Sequence, residues 1–274
     1  MSLYHTAKII FFEDFSYLWP RIKHYNAMIY HKEHTTSTND DVRNGDFRHL
    51  DVVWAEHQGA GRGQRGHTWH SVANENLTFT LCLTPEFLPA TEQFLLSEVV
   101  ALSLVDTLAE YDMACRIKWT NDIYVGDNKV AGILIEHALA GDHLKRTIVG
   151  IGLNVNQRLF PADLPNPTSM AVTRGITFDR EEVLRRILAH VERNYNLLAA
   201  GVTSDIEMRY HDHLYRLDVP HTYATPSGEL FVATLRGVRS TGHLCLEHAD
   251  GACREYAFKE VEFVVGSKKV EKNF

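Results

Sequence analysis

Residues 57–70 read HQGAGRGQRGHTWH, four glycines and two arginines in fourteen positions. Within them Gly61, Gly63 and Gly66 spell G-x-G-x-x-G. A dinucleotide fingerprint needs a strand before that pattern, a helix opening at its third glycine, and an acid about twenty residues later. The strand-like DVVWAEH (51–57) precedes it, but HTWHSVAN (67–74) and then the β-like LTFTLCL (77–83) follow. No helix opens there, and the dinucleotide reading fails. A kinase-type glycine loop does lie between strands, yet the H-R-D and D-F-G segments it requires are absent, as is the Gly-Lys-Ser/Thr of a P-loop. What remains is physical. Glycines let the backbone take positive φ and approach a ligand closely, and successive N–H groups form an anion-binding concavity. Arg62 and Arg65 add charge, and Trp69 offers a face to a planar ring.

The rest of the 274-residue chain is that of an ordinary globular protein, 45% hydrophobic and 23% charged. Its net charge of −7 leaves no global basic field, so no nucleic-acid partner is expected and an anion must be held locally. No run approaches the roughly 18 apolar residues of a membrane-spanning helix. The N-terminal apolar stretch is cut by Glu13 and Asp14 and has no small-residue cleavage site, so the expected location is cytoplasmic, without a membrane partner. Cys82, Cys115, Cys245 and Cys253 lack C-x-x-C spacing and read as reduced core thiols; the sixteen histidines offer no recognisable zinc spacing.

Periodicity predicts strands at 28–34, 51–57, 77–83, 115–119, 122–125, 129–138 and 145–155. It also predicts an amphipathic helix over 91–111, with Leu95, Val99, Leu102, Val105 and Leu108 on one face. Ser37 to Asp40 carry N-cap chemistry for a short helix, and Asp179 with Glu182 opens another that runs to about Ala200. A further short helix is expected near 203–214. From Asp218 brief strands alternate with turns at Pro226-Ser227-Gly228, Thr241-Gly242 and Asp250-Gly251, the pattern of a small β-barrel. The expected division is 1–216, 217–267 and a polar tail at 268–274.

Three further stretches are suggestive singly. IKWTNDIYV (117–125) sets Lys118, Asn121 and Asp122 beside a strand, KVAGILIE (129–136) starts with Lys129 and contains Gly132, and VGIGLNVN (149–156) pairs glycines with Asn154 and Asn156. Each could equally be a solvated strand end or turn; a glycine inside a strand weakens it unless something approaches closely.

Taken in order, Ser37-Thr38-Asn39, Gln58, GRGQRGHTW (61–69), KWTND (118–122), KVAGILIE (129–136) and GIGLNVN (150–156) resemble the catalytic domain of biotin protein ligases. The family pattern is Ser-Thr-Asn, Gln before G-R-G-R-x-G-R-x-W, K-W-P-N-D, K-x-x-G-I-L-x-E and G-I-G-x-N-x-N. The resemblance spans about residues 28–266. Gln64 and His67 stand where the family usually has arginine, and Thr120 where it has proline.

The resemblance implies an α+β fold, a mixed sheet flanked by helices with a small C-terminal SH3-like barrel, and a two-step reaction. Biotin's carboxylate attacks the α-phosphate of MgATP, and a lysine of a biotin carboxyl carrier protein then displaces AMP. Lys129, Arg62 and Asp122 would be catalytic, the first two countering phosphate charge, with Asp122 accepting the lysine proton or meeting Mg²⁺ through ATP. Ser37, Thr38, Asn39, Gln58, Gly61, Arg62, Gly63, Gln64, Lys129, Gly132 and Gly152 would surround biotin. Arg62, Arg65, Trp69, Asn121, Lys129 and Asn154 would hold the nucleotide. The glycine loop is the natural lid. A lipoate or octanoate transferase of the same fold and a non-catalytic biotin-binding module remain alternatives. A DNA-binding repressor is disfavoured because only about thirty residues precede the first motif strand. Monomer and homodimer are both open.

Overall fold

The structure, a computed structural model, describes residues 8–11, 27–63 and 68–265. Gln64, Arg65, Gly66 and His67, and the polar tail, lie outside the described residues.

Eight strands form one sheet: β1 (Lys8–Phe11), β2 (Met28–Thr35), β3 (Val52–Gln58), β4 (Leu77–Leu83), β5 (Cys115–Lys118), β6 (Asp122–Val125), β7 (Asn128–Ala140) and β8 (His143–Leu153). Their spatial order is β1-β2-β3-β4-β8-β7-β6-β5. Only β2 and β3 run parallel, because the helix α1 (Thr38–Asn44) carries the chain back between them; every other pairing is antiparallel. The sheet is therefore mixed.

Strand periodicity explains how both faces are used. Leu77, Phe79, Leu81 and Leu83 of β4 join the main core, while Cys82 packs with Val42, Val53 and Ile148 beneath α1. Successive side chains point to opposite faces, so Thr78 and Thr80 share the α1 side. On the core side lie α2 (Phe94–Ala109), α4 (Arg180–Ala199) and α5 (Thr203–Asp212), with the short α3 (Met170–Arg174) after the proline loop. The amphipathic expectation for α2 is corrected here. The helix is buried on nearly every side, because α4 and α5 cover the face turned from the sheet. The Asp179 cap is as expected: its carboxylate accepts from the N–H groups of Glu181 and Glu182 at 2.9 and 3.2 Å. At α1, by contrast, Ser37 is extended and makes no side-chain cap.

Being enclosed, α2 hides Glu98, whose Oε2 has no hydrogen-bond partner among the described residues. Burial, aided by Glu207, pushes its pKa up to about 8. Between about 4.5 and 8 the folded chain thus holds a proton that the unfolded chain releases, and stability falls as pH rises through that window. Glu98→Gln is expected to flatten this slope, measured as the urea midpoint at pH 5 and pH 8; parallel pH profiles for the two proteins would refute it.

The C-terminal strands β9 (Pro220–Ala224), β10 (Leu230–Val238), β11 (Leu244–His248), β12 (Cys253–Tyr256) and β13 (Glu262–Phe263) form a second, antiparallel sheet in the order β12-β11-β10-β9-β13. Among the described residues no ladder joins β12 to β13, so the sheet is not hydrogen-bonded into a closed barrel. It docks on the larger sheet through Trp119, whose indole N–H donates to the Gly242 carbonyl at 2.9 Å. Gly242 lies so close to Phe94 that a Cβ would come within 2.7 Å of the ring. The four cysteines are free; Cys82, Cys115 and Cys245 are buried, whereas Cys253 is exposed, so the core-thiol expectation fails for it.

Candidate functional site

The glycines of β7 and β8 make a floor where side chains would otherwise stand. Gly132 pairs with Gly152, and Gly152 pairs in turn with Thr78 of β4. At one edge, the end of β3 and the start of α1 bring Gln58, Ser37, Thr38 and Asn39 together; the last three are buried. Gln58 Oε1 accepts from the Thr38 N–H at 2.8 Å. At the other edge, the Lys129 side chain folds back over Gly132, where a Cβ would meet its Cε and Nζ at 3.2 Å. Lys129 Nζ ends 2.7 Å from Asp122 Oδ1, and Lys118 Nζ approaches the other carboxylate oxygen at 3.9 Å. Asn121 donates its amide to the Ile133 carbonyl at 2.6 Å. The Trp119–Thr120 peptide is cis.

The described parts of residues 57–70 form a pinned loop. Gly59 and Ala60 donate to the carbonyls of Thr35 and Thr36, and the Trp69 N–H donates to Gly61 at 3.0 Å. Arg62 and Thr68 form an isolated antiparallel bridge. The expectation of positive φ is corrected here for Gly59 and Gly61, which do not adopt it. Gly61 is needed for close approach instead, since a Cβ would stand 3.0 Å from the Trp69 carbonyl and 3.1 Å from Gln58 Nε2. Arg62 pairs with Asp40 at 2.6 Å, and Asp40 also binds Arg43.

One cavity is lined by Ser37, Thr38, Asn39, Gln58, Arg62, Gly63, Trp69, Asn121, Lys129, Gly132 and Gly152, yet it measures only about 50 Å³. Small-molecule pockets usually run to ~300–1,000 Å³. The reason is Trp69. Its ring lies where a Cβ on Gly152 would be, 2.2 Å from that position, with Lys129 Nζ 5.6 Å from the ring centroid and its own Nε1 buried without a partner among the described residues. An adjoining cavity of about 510 Å³ is bounded by Trp69, Asp122, Lys118, Tyr124, Phe258 in the turn after β12, and Phe263 of β13. Lys118 lies 5.4 Å from the centroids of both Tyr124 and Phe263. Asn154 borders this cavity, but its amide donates to the Thr168 carbonyl at 2.9 Å.

The structure therefore gathers the named biotin-side residues round one floor, except Gly61, which backs Gln58, and Gln64, which lies outside the described residues. Asp122 and Asn154 fall on the adjoining cavity. Lys118 and the C-terminal aromatics were missed as site residues. Lys118 sits in a quoted motif and could have been found; nothing in the sequence links it to Phe263, more than a hundred positions away. Among the described residues no cluster of three or more His, Cys, Asp or Glu side chains could hold a metal.

A family model described as the biotin/lipoate A/B protein ligase family matches residues 29–154, the segment that builds this floor. Residues 29–154 thus carry the likeness to that family, and the relatives extend it beyond this segment. It is 29% identical over 238 residues to the bifunctional ligase/repressor BirA of Bacillus subtilis, covering 84% of this chain and 72% of that protein. The biotin--[acetyl-CoA-carboxylase] ligase of Paracoccus denitrificans is 38% identical over 145 residues, 48% of this chain and 57% of its own. A biotin protein ligase from Aquifex aeolicus, solved with biotin and ATP, superimposes with a TM-score of 0.74 at 25% identity, covering 87% of this chain and 99% of that one.

The position of Trp69 is testable directly. Ligand entry onto the glycine floor must move the indole, so adding biotin is expected to shift tryptophan fluorescence, and Trp69→Phe to remove most of that shift. An equal shift in the variant would show that the indole stays in place.

Proposed function

We propose that the chain is an ATP-dependent biotin protein ligase, forming biotinyl-5'-AMP from biotin and MgATP and transferring biotin to a lysine of a biotin carboxyl carrier protein. The observation that carries this reading is one glycine floor bounded by a neutral polar edge and a cationic edge. Biotin's ureido ring is neutral and polar on an apolar bicycle, which suits Ser37, Thr38 and Gln58; its carboxylate then points toward Lys129. Two anions must meet there, and Lys129 and Arg62 supply the offsetting charge. For Arg62 this means exchanging Asp40 for the phosphate. Mg²⁺ fits as a passenger on the phosphates, shielding their charge, since the described residues offer no metal-holding cluster of carboxylates and Asp122 is already engaged by Lys129.

Asp122 is the group we assign to receive the proton of the incoming lysine, whose unperturbed pKa of about 10.4 makes such help chemically sensible. The larger cavity beside Asp122, walled partly by Phe258 and Phe263, is the space we assign to nucleotide and carrier lysine. Residues 1–216 would then be the catalytic unit and 217–267 an appended sheet that completes the wall. With an acidic balance and no described helix long and apolar enough to cross a membrane, the reading is a cytoplasmic enzyme without a nucleic-acid partner.

The test is mass spectrometry of a biotin carboxyl carrier domain incubated with the protein, MgATP, and biotin or lipoate. A biotin-sized mass gain on one lysine is expected. Modification by lipoate alone would overturn the assignment, and tight biotin binding without pyrophosphate release would leave a binding module.

A further inference from the structure

We propose that Thr80 and Glu136, neither of which lines the cavity, fix the donor and acceptor pattern that Thr38, seated beside Gln58, presents to the ligand's head group. This rests on the ureido-binding role assigned above to those two residues. Glu136 is ion-paired with Arg43 at 2.5 Å, and its other oxygen accepts from Asn39 Nδ2 at 2.8 Å. A carboxylate can only accept, which decides which end of the Asn39 amide faces Glu136. Asn39 Oδ1 is left as the acceptor, pressed onto the sheet where a Cβ on Gly150 would lie 2.2 Å away. Thr80 Oγ1, at 2.6 Å, supplies its proton.

A hydroxyl carries one hydrogen. Thr80 also stands 2.8 Å from Thr38 Oγ1, placed there too as the donor; with its one hydrogen given to Asn39, that contact closes only when the Thr38 hydroxyl turns its own hydrogen inward. The Thr38 hydrogen is spent inward, and its remaining lone pairs face the cavity. Gln58 Oε1 is held by the Thr38 backbone N–H, so Gln58 shows its NH₂ group. An acceptor on Thr38 beside a donor on Gln58 matches a cyclic urea, which offers an N–H next to a C=O. The competing arrangement uses the 3.0 Å approach of Thr38 Oγ1 to Gln58 Oε1. It would have Thr80 donate to Thr38 and strip the buried Asn39 Oδ1 of its donor. The two shorter contacts favour the first.

Thr80 and Glu136 are thus positioning residues, acting on the ligand through Asn39 and Thr38. The experiment is steady-state pyrophosphate release with biotin and MgATP varied in turn. Thr80→Val and Glu136→Gln are expected to raise the KM for biotin about tenfold, as for the loss of one partner in a buried hydrogen bond. The KM for MgATP and kcat should stay within about twofold, and Thr80→Ser, which keeps the hydroxyl, should behave like the parent. Desthiobiotin, which retains the urea, should show the same shift. An unchanged biotin KM in folded Thr80→Val or Glu136→Gln, or a joint loss in kcat and both KM values, would overturn the proposal. So would a Thr80→Ser protein as impaired as Thr80→Val. If Thr80→Val does not fold, Glu136→Gln and Thr80→Ser still decide. A parent that is inactive with biotin would sink the ligase reading instead, which separates the two failures.

Discussion

With Lys129 replaced by methionine, pyrophosphate release from biotin and MgATP is expected to fall by on the order of 10²–10³. Methionine keeps much of the side chain's length and apolar contact but removes the charge. The backbone of Lys129 is tied on both sides, its N–H to the Asn166 carbonyl and its carbonyl to the Thr168 N–H, so the strand end should persist. What is lost is the cation over Gly132, where two anions meet in the reaction proposed above. Because negative charge concentrates at phosphorus as the bond forms, the loss should fall mainly on kcat rather than on the KM for biotin. A fall of less than about tenfold would move the main electrostatic contribution elsewhere, with Arg62 the next candidate.

The second large effect is on stability. Glu56 of β3 is buried and accepts from Arg180 of α4 at 2.5 and 3.1 Å and contacts His31 at 2.7 Å. Arg180 also donates to the Asn76 carbonyl and stacks 5.2 Å from the Trp54 ring centroid. Removing one member of such a pair leaves the other charge buried and uncompensated, at about 3–5 kcal/mol. Glu56→Ala is therefore expected to lower Tm by roughly 10 °C or more, and scanning calorimetry checks it. A change under about 2 °C would mean that Arg180 finds water or another partner.

The same group sets an acid limit. Burial alone would raise the Glu56 pKa, but the hydrogen bonds from His31 and Arg180 hold it at about 2. Its contribution is thus present above the ordinary carboxylate range and lost as pH falls toward 2.

How much of this the sequence revealed depended on the range of each interaction. The strands round the glycine stretch and the Asp179 cap arise from neighbours a few positions apart, and they were readable. Alternation and capping are local properties of a chain. The strand at Lys8–Phe11 went unnoticed because its reason is a partner, β2, about twenty residues on. Periodicity placed α2 but misjudged its surroundings, since α4 and α5 cover its far face from nearly a hundred positions away. At the site, the residue types of the glycine floor were legible as close-approach positions. That Gly150 makes room for Asn39, or that Lys118 meets a ring from the C-terminal sheet, follows only from the tertiary arrangement.

The indole resting on Gly152 gives the free protein a built-in competitor. In the binding mode proposed above, part of every chain occupies the place its substrate must take, so the measured dissociation constant equals the intrinsic one divided by the fraction of chains whose floor is uncovered. Selectivity gains from this. A ligand has to outbid Trp69 for the same surface, and an acid that offers only a chain, with no head group for Thr38 and Gln58, has less with which to do so.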